Sequence, residues 1–178
     1  MGKHLRQMHV TALLELIRED FPRRKRELEK IREEFGDLGT VEQIIEPPEL
    51  VEAIPTFDPA VSRSLTPMLR ERFAFAGAWT EGGRRWLSAS QMREWTSKPD
   101  IRHHHAILRE HHNGSAPMRF RDDQLGLFGV DLEELGNFDY LVWGTDDGEP
   151  QVWHYRVGAP ATKFRHLVNY LKWYLQFD

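Results

Sequence analysis

The stretch LGLFGVDLEELGNFDYLVWGTDDGEPQVWHYRV, residues 125–157, decides the fold. Together with the residues from Met118 onward it contains three segments in which apolar and polar side chains alternate, namely MRFRDDQLGLFGVDL, FDYLVWG and EPQVWHYRV. A period of two is typical of β-strands. The segment TDDGEP separates the last two strands, and Asp-Gly favours a tight turn between antiparallel neighbours. The second half of the chain therefore predicts an antiparallel sheet built around a hairpin.

Helical periodicity dominates the sequence before this sheet. Apolar residues recur at three- and four-residue spacing from Leu5 to Ile17, and Pro22 is predicted to start or kink a second helical stretch. Asp58 followed by Pro59 resembles the start of a further helix, because Asp caps helices and proline is tolerated in their first turn. Ser88 or Ser90 is predicted to begin the next helix.

A last helix, capped by Thr162, is predicted to close the chain with an apolar face from Phe164 to Leu175. Helices first, strands in the second half and one closing helix indicate the α+β class. The 178 residues are the size of one domain. We expect a single domain over 1–178, in which 1–46 form an N-terminal helical extension and 47–178 form the α+β core.

The composition is that of an ordinary globular protein, with 40% hydrophobic and 29% charged residues. The first apolar run, Val10 to Ile17, contains Glu15 and is too short for a membrane span, and no cleavage site for a signal peptide follows it. The chain has no cysteine, which suits a reducing compartment. We therefore expect a cytoplasmic protein that does not bind membranes.

Charge is distributed unevenly along the chain. Residues 63–121 contain eleven Lys or Arg and five acidic residues, whereas residues 122–155 contain nine acidic residues and no Lys or Arg. The basic run RRKR at 23–26 is followed by four acidic residues at helical spacing, which predicts a solvated helix and not a nucleic-acid site. A charged partner is expected to prefer the acidic segment 122–155.

Five of the nine histidines lie in DIRHHHAILREHH, residues 100–112. Two helical ligands of one metal ion must be three or four residues apart, but His104 and His111 are separated by seven. Ser97 is predicted to cap this helix and Asn113-Gly114 to end it. The favoured interpretation places His111 and His112 in the last turn, with one or two other histidines facing the core. A strand would bring His103 and His105 to one face, so a metal site stays an alternative.

The candidate binding residues lie in the hairpin. Asp146, Asp147 and Glu149 could act in acid/base chemistry, although the geometry of a turn also explains an Asp-Gly pair. Trp143 and Trp153 are expected mainly in the core, and would form a protein-binding surface beside the acidic turn if they are exposed. No nucleophile elbow, phosphate loop or calcium loop is present in the sequence. The sequence predicts no catalytic residue, no metal site and no cofactor.

The run RWLSASQMREW, the strands in RDDQLGLFGVDL and NFDYLVWGTDDGEPQVWHY, and the helix FRHLVNYLKWYL resemble the SMI1/KNR4 family of the SUKH superfamily over about residues 86–175. The resemblance rests on the order of the elements. It implies an α+β domain without catalytic residues. Many bacterial relatives are immunity proteins that bind and neutralise toxins, and fungal relatives act as regulatory scaffolds.

We therefore expect a non-enzymatic protein-binding module of bacterial origin, whose partner is a toxin with a basic surface. The predicted binding residues are Asp146, Asp147 and Glu149, flanked by Trp143 and Trp153. An acidic surface would speed the encounter with a basic cleft. The alternatives are a regulatory scaffold, and a metal-dependent hydrolase that uses the histidines between 103 and 112.

Overall fold

A computed structural model describes residues 9–36, 41–134, 136–144 and 148–176. The helices are α1 (Val10–Glu34), α2 (Pro67–Phe75), α3 (Ala89–Ser97), α4 (Pro99–His111), α5 (Ala116–Arg119) and α6 (Leu167–Gln176). The strands are β1 (Gln43–Ile45), β2 (Ala53–Pro55), β3 (Ser62–Ser64), β4 (Trp79–Glu81), β5 (Arg84–Trp86), β6 (Leu125–Asp131), β7 (Phe138–Val142), β8 (Gln151–Tyr155) and β9 (Thr162–Phe164). The predicted α+β class is confirmed.

Seven strands form one antiparallel sheet in the order β1-β4-β5-β6-β7-β8-β9, and β2 pairs with β3 in a separate ribbon. Two of the three strands predicted from alternation are β7 and β8, and the end of the third is β6. Within MRFRDDQLGLFGVDL the prediction is wrong for Met118 and Arg119, which belong to α5, because the strand begins only at Leu125. The three strands lie side by side in this sheet. The expected hairpin is present, with Tyr140 of β7 opposite Trp153 of β8. The sequence RRWLS supplies β5, which pairs with β4 across Gly82 and Gly83. These glycines have φ of +55° and +89°, a conformation that side chains other than glycine rarely adopt.

The N-terminal segment belongs to the same core as the sheet. Val10, Leu13, Leu14 and Ile17 of α1 are fully buried in one hydrophobic cluster with Leu171 of α6. The stretches before and after Pro22, predicted as separate or kinked, are part of the one helix α1. Strand β1 is an edge strand of the main sheet. The segment 1–46 predicted as an extension therefore supplies both a core helix and a strand.

Two predicted helix starts are wrong. The Asp58 carboxylate accepts a hydrogen bond from the backbone N–H of Ala60, which makes a turn, and the chain then returns as β3 to pair with β2. The helix expected there begins eight residues later, at Pro67. Thr162 does not cap the closing helix, because it pairs with His154 as part of β9. Local capping patterns could not anticipate either pairing, because Asp and Thr also occur in turns and strands, and a strand forms only where a neighbouring strand is present to pair with it.

The helices α3 and α4 confirm the predicted starts only in part. Ser88 caps α3 with a reciprocal capping box to Gln91. Lys98, not Ser97, occupies the N-cap position of α4, because Ser97 is the last residue of α3 and its hydroxyl donates to the Glu94 carbonyl. Gly114 has φ of +90°, as expected for the residue that stops this helix.

Candidate functional site

A buried carboxylate organises the centre of the sheet. Asp139 of β7 is fully buried and its two oxygens accept hydrogen bonds from three side chains. Arg84 Nη1 lies 2.6 Å from Oδ2, the Tyr170 hydroxyl lies 2.8 Å from Oδ2, and His154 Nδ1 lies 2.8 Å from Oδ1. Trp86 Nε1 donates in turn to the Tyr170 hydroxyl at 2.8 Å. The network joins β5, β7, β8 and α6.

The charges in this network stabilise each other. Complete burial alone would raise the pKa of Asp139, but the charge of Arg84 and the hydrogen bond from His154 hold that pKa well below its usual value. The pKa of Arg84 is raised, since attraction to Asp139 outweighs the effect of its own burial. Asp139 therefore stays ionised, and an ionised carboxylate can only accept hydrogen bonds. His154 consequently donates through Nδ1, and its other ring nitrogen, Nε2, takes no part in the hydrogen bond to Asp139.

A second buried ion pair lies beside this network. Arg24 of α1 donates through Nε to Glu81 of β4 at 2.8 Å, and both side chains are about 4% exposed. Gln43 of β1 donates to the other oxygen of Glu81. Burial raises the pKa of Glu81, whereas Arg24 and Gln43 oppose this shift. The two networks border a cleft of about 410 Å³ between α1, α6 and the ends of the strands.

One end of the molecule carries a group of exposed apolar side chains. This turn end consists of the last three turns of α1, the residue Phe35 that follows them, and the connections β4–β5, β6–β7 and β8–β9. Leu28 packs near Gly82 of the first connection, and Arg32 forms an ion pair with Glu133 of the second. The large exposed apolar residues of the turn end are Ile31 (51%), Phe35 (83%), Leu132 (44%) and Val157 (58%).

Arginines from elsewhere in the chain pair with four of the carboxylates that the structure describes in the acidic segment 122–155. These ion pairs are Arg32–Glu133, Arg63–Asp123, Arg84–Asp139, Arg109–Asp122 and Arg121–Asp123. Two further carboxylates, Asp131 and Glu149, accept hydrogen bonds from backbone N–H groups. The uneven charge along the sequence is thus partly compensated when basic and acidic segments come together in the fold.

Those predicted binding residues that the structure describes are buried or form hydrogen bonds within the protein. Trp143 and Trp153 are 2% and 3% exposed, so their rings belong to the core. Glu149 is bound at the start of α2: its Oε2 accepts from the Thr66 hydroxyl at 2.6 Å and its Oε1 accepts from the Met68 N–H at 2.9 Å. Asp146 and Asp147 lie outside the described residues. An exposed acidic and aromatic surface is therefore not formed by Trp143, Trp153 and Glu149, and partner binding through the acidic turn stays a prediction.

The histidine-rich segment forms α4, as predicted. His105 is buried and stacks on Phe57 at 4.0 Å between ring centroids, and its Nε2 lies 3.1 Å from Asp122. Burial lowers the pKa of His105 to about 4. His103, His111 and His112 are exposed. Across the part of the chain that the structure describes, no group of three or more His, Asp or Glu side chains is placed to hold a metal ion.

The Asp139 network and the turn end were not predicted from the sequence. The Asp139 network could have been anticipated from Gly129, because a glycine inside a strand marks the close approach of another group. A Cβ at Gly129 would overlap with the Asp139 carboxylate, and one at Gly126 would lie 3.1 Å from the Trp143 ring. The turn end could not be predicted from any local pattern, because its residues, such as Phe35 and Leu132, are distant in sequence.

Comparison with known proteins gives no relative: no family model, no curated protein and no solved structure matches the chain. Within the described residues, no helix combines the length and the apolar character that crossing a membrane requires.

Proposed function

We propose that this protein is a non-enzymatic binding module that recognises another protein through its turn end, and that the partner is a bacterial toxin which it neutralises. The single observation that carries the binding proposal is the exposure of four large apolar side chains at one end of the molecule. Monomeric proteins seldom group exposed apolar residues, and such groups mark interaction sites.

The geometry of the turn end suits a protein partner. Phe35 directly follows the last residue of α1, and its backbone N–H bonds to the carbonyl of Ile31 one turn earlier, so the two side chains are neighbours. Phe35 also continues the face of α1 that carries Leu28, which lies near Gly82 and lines the cleft. A few large side chains that become buried in the partner supply most of the binding energy of an interface, and Phe35, at 83% exposure, is the most exposed of the four.

The assignment to toxin neutralisation rests on the resemblance to the SMI1/KNR4 family. The helices and antiparallel sheet of the structure are consistent with that resemblance, which remains a prediction. A regulatory scaffold would use the same kind of surface without inhibiting its partner. We place the protein in the cytoplasm, because a chain without cysteine suits a reducing compartment.

The test uses two matched variants in capture from the native host. Phe35→Asp places a charge on the turn end, and Leu50→Asp places the same charge at a residue that is 93% exposed between β1 and β2. We expect wild type and Leu50→Asp to retain one specific protein that Phe35→Asp loses. The captured protein is then purified, and its affinity for each variant is measured.

The outcomes separate the competing functions. Loss of the partner's activity on binding of wild type would support neutralisation. Binding that leaves the partner's activity unchanged would indicate a scaffold and contradict the toxin assignment. Equal loss of affinity in both variants, or no loss in either, would show that the turn end is not the binding surface.

A further inference from the structure

The cleft between α1 and α6 has the dimensions of a small-molecule site. Its volume is about 410 Å³, within the roughly 300–1,000 Å³ of ligand pockets. The aromatic rings of Trp173 and Tyr174 line it from α6, and Leu28 and Pro160 add apolar surface from α1 and the β8–β9 connection. A ligand with a flat ring could pack against these side chains.

The carboxylates that line the cleft already have hydrogen-bond donors. Glu81 binds Arg24 and Gln43, and Asp131 accepts hydrogen bonds from the backbone N–H groups of Glu133 and Glu134. Asp139, behind the cleft, is bound by three side chains. These carboxylates are therefore poor acceptors for a ligand cation, because satisfied groups gain little from an additional partner.

Several donors in the same cleft are still available. In the described structure the Tyr174 and Thr162 hydroxyls and the Arg156 guanidinium have no side-chain hydrogen-bond partner, and all three residues line the cleft. His154 lines it too, with Nδ1 committed to Asp139. Free donors therefore outnumber free acceptors in the cleft, and Arg156 adds a positive charge that has no counterion among the described residues. Such a site favours an anion, and a guanidinium matches a carboxylate well.

We infer that this cleft binds a small aromatic carboxylate, with the ring against Trp173 and Tyr174 and the carboxylate bound by Arg156 and the hydroxyls of Tyr174 and Thr162. The Asp139 network positions the site from behind: it ties β8, which carries His154, to α6, which carries the two aromatic residues. This inference stands on the cleft alone and does not require the proposed protein partner.

The test is a titration followed by the NMR signals of the protein, with indole-3-carboxylate as the probe. Indole-3-carboxamide has nearly the same shape without the charge, and acetate has the charge without the ring. We expect the carboxylate to bind at least tenfold more tightly than either, with the largest shifts at residues of the cleft. Equal affinity of the carboxamide would contradict an anion site, and equal affinity of acetate would contradict recognition of the ring.

Variants locate the site. Arg156→Gln and Tyr174→Phe each remove one donor group, and each should weaken binding of indole-3-carboxylate at least fivefold. The rest of the NMR spectrum should remain that of the folded protein. Arg165→Gln removes an equally exposed charge next to β9 but outside the cleft, so its affinity should match that of wild type. Unchanged affinity in Arg156→Gln, or the same loss in Arg165→Gln, would overturn the assignment of this cleft.

Discussion

Gly129 of β6 lies opposite Asp139 of β7, and the missing side chain of the glycine makes room for the carboxylate. Any Cβ at position 129 would overlap with the carboxylate that binds Arg84, His154 and Tyr170. We therefore expect Gly129→Ala to lower the free energy of unfolding by about 2–3 kcal/mol through overpacking. Gly36→Ala is the control: no described atom lies within 4 Å of a Cβ at this position, so the substitution bears only the cost of positive φ, about 1 kcal/mol. Denaturant titration measures both, and equal losses would argue against steric overlap.

Asp139→Asn tests the charge of the same network. The substitution keeps the shape but leaves Arg84, whose side chain is 15% exposed, without its counterion. Removing one partner of a buried ion pair costs about 3–5 kcal/mol. Glu94→Gln removes a surface partner of Lys98 and should cost less than about 1 kcal/mol. A small effect of Asp139→Asn would mean that Arg84 finds solvent in the cleft and that the network contributes little to stability.

His105 predicts a pH dependence of stability. Its pKa is about 4 in the folded protein because burial disfavours the charged form, and about 6.5 when unfolded. The unfolded chain therefore binds the proton more readily, so stability is complete above pH 6.5 and falls as the pH is lowered toward 4. The loss from this residue is about 3 kcal/mol. Asp139 has a depressed pKa as well, but its stabilisation is lost only at more acidic pH.

The variant His105→Phe isolates this contribution, since phenylalanine can keep the stacking on Phe57. Between pH 7 and pH 4 its stability should fall by about 3 kcal/mol less than that of wild type. His111→Gln, at an exposed position, should retain the wild-type profile. Parallel curves for wild type and His105→Phe would show that other groups govern the acid sensitivity.

Glu149 is predicted to stabilise the start of α2. A carboxylate on an exposed turn would contribute little to stability, but the carboxylate of Glu149 bonds to Thr66 and to the Met68 N–H. Glu149→Ala should therefore cost about 1–2 kcal/mol, as does loss of a helix cap. Glu52→Ala, at an exposed carboxylate, should have little effect. Thermal unfolding of both decides whether Glu149 is a cap or a free surface charge.

The sequence predicted the parts of the fold that depend on local periodicity. Alternation gave β6, β7 and β8, and capping chemistry gave the start of α3 at Ser88. Periodicity missed β1, β2, β3 and β9, because strands of three residues are too short for a period to emerge. The helix starts predicted at Asp58 and Thr162 were wrong for a related reason, because the residue types that cap helices also occur in turns and paired strands.

The candidate sites depend on contacts between distant residues and were less predictable. The segment 122–155 suggested an acidic surface, but arginines from 32 to 121 pair with several of its carboxylates in the fold. The aromatic residues of the hairpin lie in the core, as we expected from the sequence. Arg156, Tyr174 and Leu28 come together only when α1 and α6 pack beside the sheet.

The most direct test of the central claim is protection of cells that produce the captured partner. Growth is compared with wild type, Phe35→Asp and Leu50→Asp expressed at equal levels. We predict that wild type and Leu50→Asp restore growth, whereas Phe35→Asp fails although it is folded. Absence of toxicity in the partner, or full protection by Phe35→Asp, would contradict the proposal that the turn end neutralises a toxin.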